Sequence, residues 1–281
     1  MKQAVIKSHA KLNLALNVVG KNSALHRIET IVVFSSLHDR IFINQIKSKS
    51  HKISFFGKFS KNIRKVNTVS KLLKILDKKE LLRNKKFQIK INKKIPSKSG
   101  LGGGSMNAAN ILKYFVKKKI IRINKKEIIK ISNLIGSDVV LGIKSTNSVL
   151  NSQNKIKYFN KCKKFYMLIV KPDFGCSTKE IYSNVRKYNI PKFNNPRKKM
   201  FNLNYLKKMN NSLETVVLSK YQELRTIKLF LENLSNLAFV RMTGSGSALV
   251  AYFQTKRDCE NAKKKFIKKY KNYWCIVSKT I

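Results

Sequence analysis

Carboxylates are scarce in this chain: 13 Asp and Glu stand against 61 Lys and Arg in 281 residues, a formal net charge of +48. So few acids can be inspected one by one. Cysteine is also sparse. Cys162, Cys176, Cys259 and Cys275 form no CxxC pair and have no His at metal-ligand spacing, which excludes a Cys/His metal site and points to cytosolic thiols. No window reaches about 18 apolar residues, and the first twenty residues, broken by Lys7 and Lys11, lack an apolar core of signal-peptide length. A soluble, cytoplasmic protein with no membrane partner is expected. The hydrophobic share of 43% still supports a folded globule, and the length suits one large or two intimate domains.

A charge of this size attracts polyanions whatever the fold. The lysines, however, are spread over nearly every segment and travel with Asn and Ile, the pattern of compositional drift rather than of a dedicated nucleic-acid face. No specific nucleic-acid partner is expected, and weak RNA binding is at most a side effect.

Glycine is rare too, with eleven in all, yet Gly100, Gly102, Gly103 and Gly104 fall within five positions. Glycine permits positive φ and close approach of backbone to a ligand. The residues after the loop, SMNAANILKYFVKK, have helical spacing, so free N–H groups and the positive end of a helix dipole would face an anion there. The Walker pattern does not fit, since Gly104 is followed by Ser-Met, and GxGxxG fits only loosely. An idle glycine turn remains the alternative.

Along the chain, residues 3–19, 28–37 and 40–46 read as strands. Residues 67–83 read as an amphipathic helix with Asn67 as a possible cap. A strand over 86–92 feeds the glycine loop, and a helix over 125–135 ends at Gly136. The polar stretch 144–164 reads as the passage between two domains, 1–155 and 156–281. Beyond it, strands fit 165–170, 237–242, 247–253 and 274–278, and helices fit 177–187, 211–234 and 256–270. Strands and helices mixed without a βαβ rhythm give α+β layers. Gly244 and Gly246 form a second glycine turn, a plain hairpin on the simplest reading.

Most acids, such as Asp77, Glu80, Glu127, Glu223, Glu232, Asp258 and Glu260, sit on lysine-rich faces or turns. Asp138 lies instead in the apolar run NLIGSDVVLGI, where a carboxylate is desolvated unless something holds it. It is either functional or the cap of a helix starting at Val139. Lys11 is equally awkward inside AKLNLAL: its ammonium either snorkels to solvent or has a partner, and a meeting with Asp138 would resolve both oddities. His26, on spacing alone, is an ordinary loop histidine. Serine-nucleophile patterns are lacking.

Five further segments bring a family into view. With the glycine-loop segment IPSKSGLGGGSMNAANIL, the segments SHAKLNLALNVVGK, LHRIETIVVF, VNTVSKLL, IGSDVVLGI and RMTGSGSALVA, in that order along the chain, resemble the motifs of the galactokinase, homoserine, mevalonate and phosphomevalonate (GHMP) kinase superfamily, most closely its 4-diphosphocytidyl-2-C-methyl-D-erythritol kinases. The resemblance spans the chain. It implies the two-domain α+β GHMP kinase fold, with a ribosomal-protein-like N-terminal layer and a ferredoxin-like C-terminal layer. It implies ATP and Mg²⁺ as cofactors, with no protein residue singled out as a metal ligand, and transfer of phosphate to the 2-hydroxyl of a cytidyl-diphosphate sugar alcohol of isoprenoid precursor synthesis. Carried over by position, it implies Lys11 and Asp138 as catalytic residues and Asn13 and His26 as substrate-binding. Asn67, Lys93, Pro96, Ser99, Gly100, Leu101, Gly102, Gly103, Gly104 and Ser105 would hold ATP. A monomer or homodimer fits. The chain departs from the family pattern at Leu25, where an aromatic is usual, at Lys98 and Ser99 ahead of the glycines, at Met106, and at NSQNK, 151–155.

Overall fold

A strand with apolar side chains on alternate positions buries one face, and β2 (His26–Ile46) does so along its later half: Leu37, Asp39, Ile41 and Ile43 point inward while Arg40 is exposed. That phase places a carboxylate among core aliphatics. The computed structural model describes residues 3–22 and 25–281, so Ser23 and Ala24 of the predicted loop between the first strands lie outside the described residues. The chain forms two compact units, each assembled from several segments. One takes residues up to Ala10, Leu37–Ser97 and Gly102–Ser145; the other takes Lys11–Ser36, Lys98–Leu101 and Thr146–Ile281. The single cut after residue 155 expected from the sequence follows chain order, whereas this division follows contacts, and β1 (Ala4–Lys21) and β2 contribute to both units.

In the first unit the later half of β2 pairs antiparallel with β4 (Lys86–Asn92), Arg40 opposite Asn92 and Ile46 opposite Lys86. β3 (Lys52–Phe56) pairs parallel with β4. A parallel pair needs a crossover, and α1 (Thr68–Lys78) supplies it. Asn67 caps α1 as expected: its Oδ1 accepts from the amides of Val69 (3.0 Å) and Ser70 (3.1 Å), and Ser70 Oγ accepts from the Asn67 amide (2.9 Å), a closed capping box. The helix ends at Lys78, short of residue 83, because Glu80, Arg83 and Asn84 take left-handed backbone. α2 (Gly103–Lys117), α3 (Lys125–Ile135) and the short α4 (Val139–Gly142) complete the unit. Leu72, Phe87, Ile89, Leu112 and Phe115 are fully or almost fully buried in its core.

Asp39, with no exposed surface, holds this unit together at the root of the glycine loop. Its Oδ1 accepts from the amides of Lys94 (2.8 Å) and Ile95 (2.9 Å), and its Oδ2 accepts from Asn107 Nδ2 (3.0 Å) on α2 and from the Lys93 ammonium. One carboxylate thus joins β2, the end of β4 and the first turns of α2.

In the second unit, β7 (Tyr166–Lys171), β8 (Phe239–Met242), β9 (Leu249–Phe253) and β10 (Trp274–Lys279) form an antiparallel sheet in the order β10-β7-β9-β8. With α5 (Thr178–Ser183), α6 (Leu203–Lys207), α7 (Leu213–Lys220) and α8 (Gln222–Glu232) between β7 and β8, and α9 (Lys256–Lys269) between β9 and β10, this is the ferredoxin-like split βαβ plan. Two expectations need correction. The stretch 144–164 is not a bare passage: β5 (Ser148–Leu150) pairs with β2 through Thr30–Val32, and β6 (Ile156–Tyr158) pairs with β5 across an Asn151 turn. The helix expected over 211–234 breaks at Tyr221, whose amide closes α7 on the Val217 carbonyl and whose ring stacks on Phe174 (5.2 Å, 15°), so α8 starts anew. Overall the mixed α+β plan with two sheets is as expected.

Removing Asp39 leaves the Lys93 ammonium, 4% exposed, without its counter-charge. Asp39→Ala is expected to destabilise the protein by about 3–5 kcal/mol, and Lys93→Met added to it to recover most of that loss. Urea unfolding checks this; equal midpoints for Asp39→Ala and the wild type would show the pair to be idle.

Candidate active site

The start of α2 is the only helix terminus that the glycine cluster builds. Gly102, its N-cap, sits at φ 66°, no side chain caps it, and no acid occupies its first turn. The first helical bond runs from the Met106 amide to the Gly102 carbonyl (2.9 Å), so the amides of Gly103, Gly104 and Ser105 have no helical acceptor. Such a terminus suits an anion. Thr68 Oγ1 donates to the Gly104 carbonyl (2.7 Å), which fixes the start of α1 beside that of α2 and brings Asn67 next to the cluster. Asn67 has already spent its carbonyl oxygen on its own helix, and its amide donates to the Arg64 and Lys65 carbonyls (3.1 and 3.2 Å). Lys93, expected to reach ATP, lies under the loop on Asp39. A Cβ on Gly103 would come within 3.2 Å of its Nζ and 3.0 Å of Ile95 Cγ2. Pro96 is buried and Ser105 is half-buried.

Asp138 precedes α4 with helical backbone and makes no side-chain capping bond to it, so the helix-cap alternative does not hold. α4 crosses α2 closely at Gly142, where a Cβ would meet Ala109 at 2.7 Å.

In the second unit Lys11 is 2% exposed and does not snorkel: its Nζ donates to Asn13 Oδ1 at 2.9 Å. Asn13, equally buried, passes the constraint on. Its Nδ2 donates to Thr30 Oγ1 (2.8 Å), which donates to the Ala15 carbonyl (2.6 Å), and its amide donates to Thr243 Oγ1 (3.1 Å). The Lys11 amide donates to the Leu101 carbonyl (3.0 Å), tying β1 to the loop. Lys11, Asn13, Leu101 and Gly100 are therefore one cluster, and Thr30 and Thr243 are members that spacing could not reveal.

The second glycine turn is not a plain hairpin tip. A Cβ on Gly100 would lie 1.9 Å from the Thr243 carbonyl oxygen, and one on Gly244 would lie 3.0 Å from the Gly100 carbonyl oxygen. Both residues have left-handed φ, 74° and 56°, and their backbones touch directly. The Ser247 and Ala248 amides donate to the Lys98 and Ser99 carbonyls (3.3 and 3.2 Å). Ser99 is 3% exposed. Turn 243–247 is the backing of loop 98–101.

His26 is half-buried against two tyrosine rings, Tyr182 at 5.2 Å and Tyr188 at 6.3 Å, while Leu25 is 69% exposed. Burial first, and Lys21 second, lower its pKa, so the imidazole is neutral at pH 7. Glu29, with no exposed surface, was also missed: it accepts from Asn17 Nδ2 and from the Lys192 and Phe193 amides (2.8, 2.7 and 2.9 Å), which anchors the segment that carries Tyr188. A cavity of about 700 Å³ lined by Glu214, Lys228 and Arg241 holds none of the expected site residues. Its charges answer one another, Lys228 on Glu214 at 2.8 Å and Arg241 Nη2 on the Leu206 carbonyl at 2.9 Å, and it reads as part of the scaffold.

Comparison with known proteins meets this geometry. The model of the GHMP kinases N terminal domain matches residues 67–149, the stretch from the α1 cap to β5. Together with the two sheets and the glycine cluster, this defines a kinase of the GHMP class. The chain is 56% identical over 276 residues to the 4-diphosphocytidyl-2-C-methyl-D-erythritol kinase of Pelagibacter ubique, covering 98% of each. It is 34% identical to that of Clostridium tetani, covering 98% of this chain and 99% of the other. The chain belongs to the family of 4-diphosphocytidyl-2-C-methyl-D-erythritol kinases. In fold it is similar to a crystal structure of 4-(cytidine 5'-diphospho)-2C-methyl-D-erythritol kinase, with TM-score 0.77, 20% identity and coverage of 99% and 100%. A homoserine kinase from Cytophaga hutchinsonii follows at TM-score 0.71 and 13% identity, covering 100% of this chain and 95% of the other.

Gly100→Ala is expected to cost about 3 kcal/mol, because a backbone oxygen cannot yield to the new Cβ and the left-handed φ adds strain. Gly136→Ala is the control: its nearest neighbour would be Val139 Cγ2 at 3.9 Å, and a change within about 0.5 kcal/mol is expected. Equal losses in urea unfolding would refute the backbone contact as the cause.

Proposed function

We propose that this chain uses ATP to phosphorylate the 2-hydroxyl of 4-diphosphocytidyl-2-C-methyl-D-erythritol, a step in isoprenoid precursor synthesis. The structural observation that carries the kinase reading is the uncapped start of α2, whose free amides offer an anion site where the glycines allow close approach. The name of the Pelagibacter relative supports the substrate.

Phosphoryl transfer depends on positioning and on neutralising charge. The amides of Gly103, Gly104 and Ser105 bind phosphate oxygens. Asp138, not committed to capping α4, accepts the proton of the attacking hydroxyl. Lys11, held on Asn13 within a buried network, presents its ammonium in a fixed place and steadies the charge that develops in transfer. Mg²⁺ is held mainly by substrate phosphates and water rather than by a protein cage. A Mg²⁺ ion bound with the nucleotide would supply neutralisation of triphosphate charge.

His26 and its tyrosines supply the aromatic surface that Leu25 lacks: a pyrimidine stacks on such rings, and a neutral imidazole both donates and accepts hydrogen bonds. Among the described residues no helix is long and apolar enough to cross a membrane, and the four cysteines are unpaired. Free thiols fit a reducing cytoplasm, where this reading places the enzyme as a monomer or homodimer.

Asp138→Asn is expected to lower kcat by roughly 10² to 10⁴ with little change in nucleotide affinity, and Lys11→Met to do comparable damage. The double variant should lose much less than the product of the two, since groups of one mechanism are not additive. Near-normal turnover by Asp138→Asn would remove it from the mechanism. Substrate is tested by offering purified protein the cytidyl alcohol, homoserine and mevalonate with ATP; ADP release with homoserine alone would sink the assignment.

A further inference from the structure

The outer sheet face of the first unit is open to solvent. β8 and β9 are buried at every position, whereas β2, β3 and β4 alternate, and only the phase that holds Ile41, Ile43, Ile89 and Ile91 packs on the core. On the opposite phase Arg40, Lys52, Lys90 and Phe56 are exposed, Phe56 at 44%. β1 extends this face beside β2. Its Ala4 and Ile6 pack on the core, and Asn110 Nδ2 on α2 donates to Ser8 Oγ (3.4 Å), so Lys7 and His9 lie on the outward side. Strand register collects there what the sequence scatters. Phe42 stands opposite Lys90, and Arg40 stands opposite Asn92, which in turn pairs with Phe56. The Phe42 and Phe56 rings approach to 6.0 Å at 38° and the Arg40 guanidinium lies 5.7 Å over the Phe42 ring. His9 and His38 form a second ring pair at 5.2 Å. Asp39, the one acid of these four segments, points the other way into the core.

From the paired rings, the cations Lys7, Arg40, Lys52 and Lys90 set among them, and the lack of any acid on this face, we infer that the outer sheet of the first unit binds single-stranded nucleic acid without sequence preference. Successive bases stack on the rings while the Lys and Arg heads meet phosphates. Lysines cover the whole chain, so charge alone does not mark this face. The rings mark it: isolated exposed apolar side chains need no partner, but rings gathered beside cations on an open sheet form a patch that does. A duplex, whose bases already stack on one another, can use only the cations. α2 packs on the opposite side of the same sheet, so this surface is distinct from the helix terminus at the glycine loop.

The experiment follows the fluorescence anisotropy of a labelled oligouridylate of about 12 nucleotides with the full chain over a range of salt. Phe42→Leu and Phe56→Leu keep an apolar side chain and lose the flat ring. Each should weaken Kd roughly five- to ten-fold without changing the slope of log Kd against log salt. Arg40→Gln combined with Lys90→Gln should instead reduce that slope by about 1.4. Lys264, Lys265 and Lys268, exposed on α9, are the control: changing all three to Gln removes more charge but should leave Kd within about two-fold. On the wild type alone, an RNA duplex of the same length should bind about ten-fold more weakly at roughly 0.2 M salt. Equal affinity for strand and duplex, with both Leu variants at the wild-type Kd, would overturn the inference and leave net charge as the sole attraction. A loss from the α9 variant equal to that of the face variants would overturn it in the same way. So would sedimentation showing a dimer that Phe56→Asp dissolves while the oligonucleotide goes unbound, since that assigns the face to a second copy of the chain.

Discussion

A buried carboxylate sets the geometry at the root of the glycine loop. In a chain with 13 acids and 61 bases, Asp39 is withdrawn from solvent completely and surrounded by four donors, two of them consecutive amides. An ionised carboxylate in such a place is tolerable only because every lone pair is answered. The satisfied group then fixes three elements at once, and the start of α2 is one of them. The free amides of that helix point to a defined place because Asn107, one turn inside it, is tied to Asp39.

The second unit solves a related problem without charge. Loop 98–101 is held by direct backbone contact with turn 243–247, and that contact exists only because glycine stands at 100 and 244. Lys11 and Asn13 join the same assembly through Leu101 and Thr243. The ammonium of Lys11, buried and held on Asn13, consequently has little freedom to move.

Much of this was legible in the sequence, for reasons of local physics. The cap at Asn67, the alternation of β4, the glycine cluster and the oddness of Lys11 and Asp138 depend on residues near one another in the chain. Asp39 was legible in principle, since it keeps phase with Leu37, Ile41 and Ile43, but the donors that satisfy it, at 93–95 and 107, lie more than fifty residues away in the chain. Thr30, Thr243, Glu29, Tyr182 and Tyr188 were not legible, because each acts on a partner brought close by strand register or a long loop. The break at Tyr221 depends on a ring from another segment, Phe174, which no periodicity over 211–234 reports. The short strands β5 and β6 were hidden in a polar composition and exist by pairing with β2.

The contact between Gly100 and Gly244 joins positions far apart in the chain, and this has a consequence for how the protein is made. During synthesis the segment around Gly100 leaves the ribosome long before its backing at 243–248 exists, so the glycine-rich stretch stays open until the last strands of the ferredoxin-like sheet arrive. Contacts of such high sequence separation bear the full loop-closure entropy before any return and slow the final step of folding. The glycine loop is thus among the last parts of the molecule to take shape, and a nascent chain lacking the region beyond residue 240 has no backing for residues 98–101.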